Sequence, residues 1–580
     1  MKVYIAKKAG FCMGVRRAVD LTLDLVNNGE QNIATYGPLI HNPQVLDVLA
    51  DKGVGILDKA PEQAADLGTV IIRAHGIPAA EKKNLLDMGL MVKDATCPRV
   101  LKVQAIIRKY RKQGMTTVIV GDRNHAEVEG LMGYAGPDCK VVSNEGDAHR
   151  LELAGDYIIV SQTTQEEGSF TEICRIITAR FPGGKIFNTI CDSTHKRQDE
   201  VRKLCQNVEA LVVVGGRSSA NTKRLAEIAQ GLGKTVFLIE TEAELDKDAL
   251  SQFNRVGVTA GASTPTWMIN RVVRVLEAVP GRGEGIICSS FFQCIRLVML
   301  SNFYVALAGG LLVSACSLLQ GIAPGWKGGL VAFGYLFAMH NLNRFTDQRA
   351  KIFNDPLLLV FYKKYRWIML GLSNIFLLIS LGLVFVENGR AFILLAIMSV
   401  LGILYSIKFI PNFISSRLKV RRLKEIPASK TFFVALAWAS VLVVLPALIN
   451  GSDGVRTLAV FVFIFLLVVV RNSIFDIFDM QGDRIVGKET LPVLIGLPKT
   501  MLLLKFIVAF LFLLSVVMTT LGLMVAPLGY LLIPSLLYLA ALLVFYEKGY
   551  YTPGVRLEFG LESSFVIMAG SIWLGYAWLI

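Results

Sequence analysis

The first half of the chain alternates short runs of β-branched residues with stretches whose apolar side chains repeat at helical spacing. The runs are GTVIIRAHG (68–76), TTVIVGD (116–122), DYIIVSQTT (156–164), ALVVVGG (210–216) and RVGVTAGAS (255–263). This alternation predicts parallel strands joined by helices. Because ligands of open α/β sheets bind at the carboxyl ends of the strands, the polar residues that end these runs predict a polar site there.

Three cysteines each precede a helical pattern, so each thiol is expected near a helix N-terminus. They are Cys12 in AGFCMGVRRAV, Cys97 in DATCPRV and Cys191 in NTICDSTHKRQ, almost evenly spaced along the first half. The partial positive charge of a helix N-terminus lowers a thiol pKa and favours the thiolate that binds metal. The spacing predicts three similar units with one ligand each. Three thiolates suit either a zinc ion or an iron–sulfur cluster with one open iron, and a structural role for the cysteines also stays open.

The second half contains about nine apolar stretches, each near the roughly 20 residues that a membrane-spanning helix needs. We place them at 294–319, 325–343, 367–386, 391–410, 431–449, 455–474, 501–523, 526–546 and 561–580. Lys and Arg concentrate in the loops after the second, fourth and sixth stretches, which predicts that these loops are cytoplasmic. The first half begins with no apolar stretch long enough for a signal peptide, so it is expected on the same side.

The overall composition agrees with a soluble part joined to a membrane part. Hydrophobic residues make up 53% and charged residues 18%, with a mean hydropathy of +0.51, which is too apolar for a wholly soluble enzyme. The net charge of +14 comes largely from short loops between apolar stretches. It therefore indicates membrane topology, and no nucleic acid partner is expected. The nine cysteines are scattered, which favours a reducing compartment over a disulfide framework.

A series of eight motifs runs through the first half in a fixed order. They are GFCMGVRRAV, GPLIHNPQV, IIRAHGIP, DATCPRV, GDRNHAEVEG, SQTT, SSANTKRLAEIA and GVTAGASTP. Together they resemble the LytB/IspH family of 4-hydroxy-3-methylbut-2-enyl diphosphate reductases. For residues 1–280 the resemblance implies an α/β trefoil of three similar α/β units around an iron–sulfur cluster. It implies reductive dehydroxylation of that diphosphate to isopentenyl and dimethylallyl diphosphate, the last step of the non-mevalonate isoprenoid pathway.

Carried over by position, the resemblance implies roles for individual residues. Cys12, Cys97 and Cys191 would hold three irons of a [4Fe-4S] cluster whose fourth iron binds the substrate. Glu127 would donate a proton, and Thr163 would orient the substrate and the proton relay. The implied substrate-binding residues are His41, His75, His125, Thr163, Ser219, Asn221 and Ser263. An external electron donor such as ferredoxin or flavodoxin is implied as a partner. A three-cysteine cluster hydratase or a zinc enzyme is the alternative.

Two polar segments of the second half face the predicted cytoplasmic side. RNSIFDIFDMQGDRIVGKETLPVLIG (471–496) places Asp476, Asp479 and Asp483 on one face of a helix, and HNLNRFTDQRAKIFNDP (340–356) contributes Asn343 and Asp347. Carboxylates at a membrane face are costly unless they bind something, and Mg²⁺ held between carboxylates and a diphosphate satisfies them.

These segments resemble the two aspartate-rich motifs of the UbiA family of intramembrane prenyltransferases. The resemblance implies an all-α membrane domain of about nine transmembrane helices at 294–580, after a linker at 281–293. It implies a Mg²⁺ and diphosphate site at Asn343, Asp347, Asp476, Asp479 and Asp483. Lys351 stands where the first motif usually has another aspartate. Tyr405, Lys408, Lys424 and Lys430 resemble the family's diphosphate-facing residues more loosely.

The expectation for the whole chain is a bifunctional isoprenoid enzyme. It would be a multi-pass protein of the cell inner membrane with the N-terminal catalytic domain in the cytoplasm. The expected partners are small-molecule diphosphates, the electron donor and the lipid bilayer. For the second half a non-catalytic membrane anchor or a transporter is the alternative, and the three aspartates of the second motif argue against both.

Overall fold

The chain divides into two units, Met1–Gly283 and Glu284–Ile580. The computed structural model describes residues 1–57, 68–282, 286–346, 352–406, 429–549 and 554–579. The first unit is α/β and the second is helical.

The first unit contains twelve strands and eleven α-helices among its described residues. The strands are β1 (Lys2–Ile5), β2 (Ile33–Tyr36), β3 (Gly55–Leu57), β4 (Thr69–Ile72), β5 (Met91–Asp94), β6 (Thr116–Val120), β7 (Lys140–Val142), β8 (Tyr157–Ser161), β9 (Lys185–Phe187), β10 (Ala210–Val214), β11 (Thr235–Ile239) and β12 (Arg255–Ala260). The helices are α1 (Met13–Asn27), α2 (Pro43–Ala50), α3 (Ala79–Asp87), α4 (Pro98–Arg111), α5 (Ala126–Ala135), α6 (Glu145–Arg150), α7 (Glu167–Arg180), α8 (Asp192–Cys205), α9 (Ala220–Gly231), α10 (Lys247–Leu250) and α11 (Thr266–Ala278).

These strands form three separate four-stranded sheets in which all neighbours are parallel. Their orders are β3-β2-β4-β5, β7-β6-β8-β9 and β11-β10-β12-β1. The three sheets share one topology, because the first strand of each unit lies between its second and third strands and a fourth strand lies beyond the third. In the last sheet this fourth place is taken by β1. The predicted set of three similar α/β units is confirmed.

All five runs predicted as strands are central strands of these sheets. Their residues are almost completely buried, as at Val118, Ile159 and Val212, because helices cover both faces of a parallel sheet. The pattern did not single out the remaining seven strands. Six of these lie at sheet edges, where exposure mixes polar residues into the run. The seventh, β2, is central, but its sequence IATY is a weaker apolar run than the TVII of β4.

The second unit is helical throughout its described residues. Its α-helices are α12 (Ile286–Leu300), α13 (Phe303–Gln320), α14 (Trp326–Thr346), α15 (Pro356–Lys364), α16 (Arg366–Glu387), α17 (Gly389–Ser406), α18 (Ser429–Ala439), α19 (Leu445–Asn450), α20 (Gly454–Val486), α21 (Leu491–Ile495), α22 (Leu497–Thr520), α23 (Ile533–Glu547) and α24 (Val555–Leu579). A π-helical turn, Ser440–Val444, joins α18 to α19, and a 3-10 turn, Leu528–Leu532, precedes α23. Within the described residues, seven helical segments are long and apolar enough to cross a membrane.

Each of the nine predicted stretches overlaps one or more helices, and within the described residues seven of these helical segments are long and apolar enough to span a membrane. Several boundaries differ. The first stretch is broken before Phe303, where Asn302 adopts a left-handed conformation with φ 59°. The buried Asn302 amide donates to Asn341 Oδ1 at 3.1 Å and to the Tyr362 hydroxyl at 2.8 Å, so a polar anchor interrupts the apolar pattern. The sixth apolar stretch is predicted at 455–474, and its helix α20 continues to Val486, so the three aspartates lie on a helix as predicted. The end of the fourth stretch, 407–410, lies outside the described residues.

Candidate active sites

The three cysteines predicted to bind metal line one cavity of the first unit, each as the residue before a helix. Cys12 precedes α1, Cys97 precedes α4 and Cys191 precedes α8. The backbone N–H of each cysteine donates to a carbonyl two residues past the third strand of a unit; these carbonyls belong to Ala262, Ala74 and Thr163, in that order. All three thiols are free. Each sheet therefore contributes one thiol, held at the same position relative to the third strand of a unit.

One glycine beside the thiols has no room for a side chain. A Cβ at Gly14 would lie 2.5 Å from Sγ of Cys97, so the first turn of α1 approaches this thiol only without a side chain. Sequence reasoning did not single out Gly14, although the GFCMG motif contains it. Burial raises the pKa of the Cys97 thiol, and the neighbouring Cys12 and Cys191 raise it further. The backbone amides of Arg99 and Val100 act in the other direction and lower it. For Cys97 the expected effect of the helix N-terminus is present in these two amides, but burial outweighs it.

The three histidines predicted to bind substrate form a cluster in the same cavity. The ring centroids of His41 and His75 are 4.7 Å apart, and that of His125 lies 5.5 and 5.4 Å from them. Burial and the charge of Arg73 lower the pKa of all three, and repulsion from neighbouring imidazoles adds to this at His75 and His125. The pKa falls to about 4 for His125 and well below the usual range for His75. The imidazoles are therefore neutral near pH 7 while the cavity holds no anion.

Two of these histidines present ring nitrogens without a partner. His41 Nε2 and His75 Nδ1 are buried and accept or donate no hydrogen bond to described residues. His125 Nδ1 accepts the N–H of Glu127 at 3.1 Å and so caps α5, which leaves Nε2 as the donor of the neutral ring. The cluster therefore offers unsatisfied polar atoms to a ligand.

Glu127 and Thr163, the predicted proton-transfer residues, form a buried pair. The Glu127 side chain is 1% exposed, and its two oxygens accept the Thr163 N–H at 2.7 Å and the Thr163 hydroxyl at 2.8 Å. Burial raises the pKa of this carboxyl to about 7, although both hydrogen bonds act to lower it. The acid is therefore partly protonated at neutral pH, as a general acid requires.

The third sheet places the remaining predicted residues in the same cavity. Ser219 caps α9 and Ser263 donates its hydroxyl hydrogen to the His41 carbonyl at 3.0 Å. Asn221 is buried, and neither its side-chain oxygen nor its nitrogen has a partner among the described residues. Gly216 approaches the His41 carbonyl so closely that a Cβ would lie 3.0 Å from it. Two further orphaned polar atoms therefore point to a polar ligand.

All eleven residues predicted for the first unit line this one cavity, whose volume of about 760 Å³ includes open solvent at its mouth. The residues lining it that sequence reasoning missed include Arg99, Thr164 and Ser193. The helices α1, α2, α4, α5, α8 and α9 begin at or beside lining residues, so six helix N-termini meet there. Their partial positive charges favour an anionic ligand.

The three predicted aspartates of the second unit lie at one end of α20, and two of them are paired with lysines. Asp476 is buried, and its oxygens accept Lys430 Nζ at 2.9 Å and the Thr431 hydroxyl at 2.8 Å. Asp483 is buried 3.6 Å from Lys488 Nζ, and the charges that act on it include those of Lys430, Asp476 and Asp479. A metal ion at Asp476 would therefore compete with an ammonium group.

The first aspartate-rich segment is only partly described. Asn343 lies near the end of α14, whereas Asp347 and Lys351 lie outside the described residues. Asn354, which sequence reasoning missed, donates to the Asp479 carbonyl at 3.2 Å. Gly482 allows this contact, because a Cβ there would lie 2.2 Å from the Asn354 side chain. The described end of this segment is thereby tied to the second motif.

The first unit is thus an α/β protein built around a cavity for an anionic ligand beside three thiols. Residues 3–277 match the LytB protein family, and residues 364–552 match the UbiA prenyltransferase family. A 4-hydroxy-3-methylbut-2-enyl diphosphate reductase of Geobacter sulfurreducens is 40% identical over 285 residues, 49% of this chain and 100% of that protein. The chain belongs to the LytB family and carries a UbiA-family segment in its helical unit.

Solved structures resemble each unit. The E-1-hydroxy-2-methyl-but-2-enyl-4-diphosphate reductase of Plasmodium falciparum is 27% identical with a TM-score of 0.45, covering 47% of this chain and 87% of that one. A UbiA homolog from Archaeoglobus fulgidus bound to GPP and Mg²⁺ is 17% identical with a TM-score of 0.36, covering 49% of this chain and 96% of that one.

Proposed function

We propose that residues 1–280 convert 4-hydroxy-3-methylbut-2-enyl diphosphate to isopentenyl and dimethylallyl diphosphate. The observation that carries the proposal is a single cavity that combines three free thiols, three neutral imidazoles and a buried acid with a pKa of about 7. Relatives about 40% identical over this part of the chain are named as reductases of this diphosphate. In the overall reaction, electrons from an external donor such as ferredoxin or flavodoxin, together with protons, replace the hydroxyl by hydrogen and release water.

The cysteines fit a [4Fe-4S] cluster. Cys12, Cys97 and Cys191 are the cysteines that line the cavity among the described residues, so a four-iron cluster bound there keeps one iron without a protein thiolate. When bound, the cluster supplies a Lewis acid for the substrate hydroxyl and the path for the electrons. Gathering three thiolates at a partly buried place is costly without such a cation-rich partner.

The imidazoles and the third-sheet side chains would bind the diphosphate. His41, His75 and Asn221 supply the unpartnered buried atoms, and His125, Ser219 and Ser263 line the same cavity. Because the imidazoles are neutral before binding, the anion can draw protons onto them and form charge-assisted hydrogen bonds. Six helix N-termini add a permanent attraction for the phosphate groups.

Glu127 would deliver a proton to the reacting part of the substrate. Its carboxyl is protonated in a large fraction of molecules near pH 7 because burial raises its pKa. Thr163 holds both carboxyl oxygens and lines the cavity itself, so its hydroxyl can orient the substrate and relay the proton. The closed environment of this pair keeps bulk water from replacing it as the donor.

For the second unit we propose a prenyltransferase at 294–580, joined by a linker at 281–293. Mg²⁺ and a prenyl diphosphate would bind at Asn343, Asp347, Asp476, Asp479 and Asp483. The UbiA-family match and the seven apolar helical segments support this role and a multi-pass location in a membrane. We place it in the cell inner membrane with the first unit in the cytoplasm, where the electron donor would meet it.

Iron analysis of anaerobically purified full-length variants tests the cluster assignment. Cys12→Ser, Cys97→Ser and Cys191→Ser should each lose iron and reductase activity, because each removes one ligand. Cys205→Ser is the matched control, since Cys205 is buried outside the cavity. A Cys97→Ser protein with undiminished iron would refute the ligand set, and zinc in place of iron would favour the zinc enzyme.

A paired variant tests the membrane site. Asp476→Ala with Asp479→Ala should abolish Mg²⁺-dependent binding of a prenyl diphosphate, because it removes two of the carboxylates proposed for the metal. Reductase turnover in the same protein should stay normal if the two sites act independently. Unchanged Mg²⁺-dependent binding would refute this metal site, and absence of such binding from the wild type would leave the membrane unit as an anchor.

A further inference from the structure

The loop that carries Cys12 is longer than the loops that carry the other two cysteines. Six residues, 6–11, separate β1 from Cys12, whereas residues 95–96 precede Cys97 and residues 188–190 precede Cys191. A longer connection has more conformations to lose when it is ordered. The position of the Cys12 thiol therefore depends on contacts that hold this loop.

Arg197 of α8 provides such contacts from inside the protein. It is 5% exposed, and it donates from Nε to the Lys8 carbonyl at 2.9 Å and from Nη2 to the Gly10 carbonyl at 2.5 Å. Its Nη1 donates to the Ser193 hydroxyl at 3.3 Å, and Ser193 lines the cavity two residues after Cys191. One guanidinium thus ties the Cys12 loop to the first turn of the helix that follows Cys191.

Glu200, one turn further along α8, holds the other side of the same loop. Its carboxylate oxygens accept the backbone N–H groups of Lys7 and Lys8, each at 2.6 Å. Side chains of one helix, α8, therefore hold the loop through hydrogen bonds to two of its backbone N–H groups and two of its backbone carbonyls. Side-chain identity within the loop contributes nothing to these bonds.

The Cys97 loop has a smaller version of this arrangement. Arg17 of α1 donates to the Thr96 carbonyl at 2.9 Å and to the Asp94 carbonyl at 3.3 Å. Each guanidinium therefore comes from the helix after one cysteine and binds the loop before another. Arg17 is exposed, whereas Arg197 is buried, so the two differ in electrostatic effect.

The charge of Arg197 acts on the thiolates themselves. The negative groups that act on it are those of Cys12, Cys191 and Glu200. A buried guanidinium is costly unless negative groups compensate it, and here two of the three compensating groups are candidate cluster ligands. A positive charge beside a cluster stabilises the reduced, more negative state and so raises its reduction potential.

We propose that Arg197 is a positioning residue of the cluster site: it fixes the Cys12 loop to the helix that follows Cys191 and places a permanent positive charge beside both thiolates. The inference rests on the proposed function, because it requires a cluster at the three cysteines. It assigns to this arginine both the retention of the cluster and part of its reduction potential.

Three variants of the full-length protein, purified anaerobically, separate these two effects. Arg197→Met removes the hydrogen bonds and the charge, so iron retention against a chelator should weaken by about 10- to 100-fold, as expected for a ligand-supporting residue. The remaining cluster should titrate at a more negative potential when reduction is followed by electron paramagnetic resonance. Arg197→Lys keeps the charge but loses the paired hydrogen bonds to the two loop carbonyls. It should therefore lose iron while its reduction potential stays near that of the wild type.

The control is Arg202→Met, which removes an exposed arginine from the same helix. It should match the wild type in iron content and potential. If Arg197→Met does not fold, as judged by circular dichroism, Arg197→Lys and Glu200→Gln carry the test, and both should release iron faster than Arg202→Met. Wild-type iron retention in these variants, or an unchanged potential in a folded Arg197→Met protein, would overturn the inference. Absence of iron from the wild type would instead refute the proposed function.

Discussion

Replacing Glu127 by Gln isolates the contribution of one buried proton. The glutamine keeps the shape of the side chain, and its oxygen can still accept the Thr163 N–H that now lies 2.7 Å away. Its amide nitrogen can donate to the Thr163 hydroxyl, which reverses the second hydrogen bond without breaking it. The variant should therefore fold and assemble like the wild type but hold no transferable proton.

The expected loss of turnover is large. General acid catalysis contributes about 100- to 10,000-fold, which corresponds to about 3 to 5 kcal/mol of barrier. The assay is single-turnover reduction of the diphosphate by chemically reduced protein with iron content measured in parallel. Glu129→Gln is the matched control, because Glu129 lies two residues further along, is partly exposed, and is 3.8 Å from Arg73. Near-normal turnover in Glu127→Gln would show that another group donates the proton.

The same carboxyl predicts the pH dependence of the reaction. Because burial raises its pKa to about 7, the acid form is present below pH 7, and turnover should fall as pH rises above 7. The infrared band of the protonated carboxyl should disappear over the same range in the wild type and be absent from Glu127→Gln. A band that persists unchanged to high pH, or that is missing at pH 6, would contradict this pKa.

The raised pKa also has a consequence for stability. The folded state holds this proton more tightly than the unfolded state, whose carboxyl titrates at the ordinary 4.5. Stability from this group is therefore complete below about pH 4.5 and is lost as pH rises through 7, by about 3 kcal/mol at most. Glu127→Gln should lack this decline, so at pH 8 the apo variant should resist denaturant at least as well as the apo wild type.

Three further predictions concern packing, charge and anion binding. Gly14→Ala should lower iron content, because its Cβ would meet Cys97 Sγ at 2.5 Å. Gly168→Ala, with open space around it, should not lower it. Equal iron in both variants would show that the backbone near Cys97 can shift to accommodate the methyl group. Lys430→Met should tighten Mg²⁺ binding in a metal titration, because it removes the ammonium 2.9 Å from Asp476, and weaker binding would mean that the lysine assists the metal instead. Binding of inorganic diphosphate near pH 6.5 should take up protons, since burial has lowered the imidazole pKa values that the anion will raise. Calorimetry in buffers of different ionisation enthalpy measures this uptake, and an enthalpy independent of the buffer would contradict it.

The central sheets could be predicted from sequence because burial on both faces leaves a simple signal. Runs such as ALVVVGG contain only apolar residues until the strand ends, and the structure places that run as β10. The strand β9, with the sequence KIF, carries no comparable signal, because an exposed edge strand of three residues has neither length nor alternation. Its pairing is decided by the neighbouring strand.

The residues of the candidate site could be predicted from the sequence only where they lie inside a recognisable motif. Cys97 and Glu127 stand inside motifs, and they line the cavity as the motifs suggest. Arg197 also stands in a motif-like segment, yet its partners are the carbonyls of residues 8 and 10, nearly two hundred positions away. Backbone carbonyls carry no sequence identity, so no pattern could indicate that contact. The Lys430 and Asp476 pair was missed for the related reason that it joins two helices.

The common register of the three units explains why the cysteines are equivalent while the other site residues are not. His41, His125 and Ser219 each lie five residues past the first strand of their unit, and each reaches the same cavity. Two positions further on, the units carry Pro43, Glu127 and Asn221, which differ completely in chemistry. The backbone frame therefore repeats, and because it repeats it can present three thiols to one centre. The side chains at the equivalent loop positions have diverged, so one unit supplies an acid, another an amide and the third neither. The three units therefore differ in chemistry around the cavity although their backbones repeat.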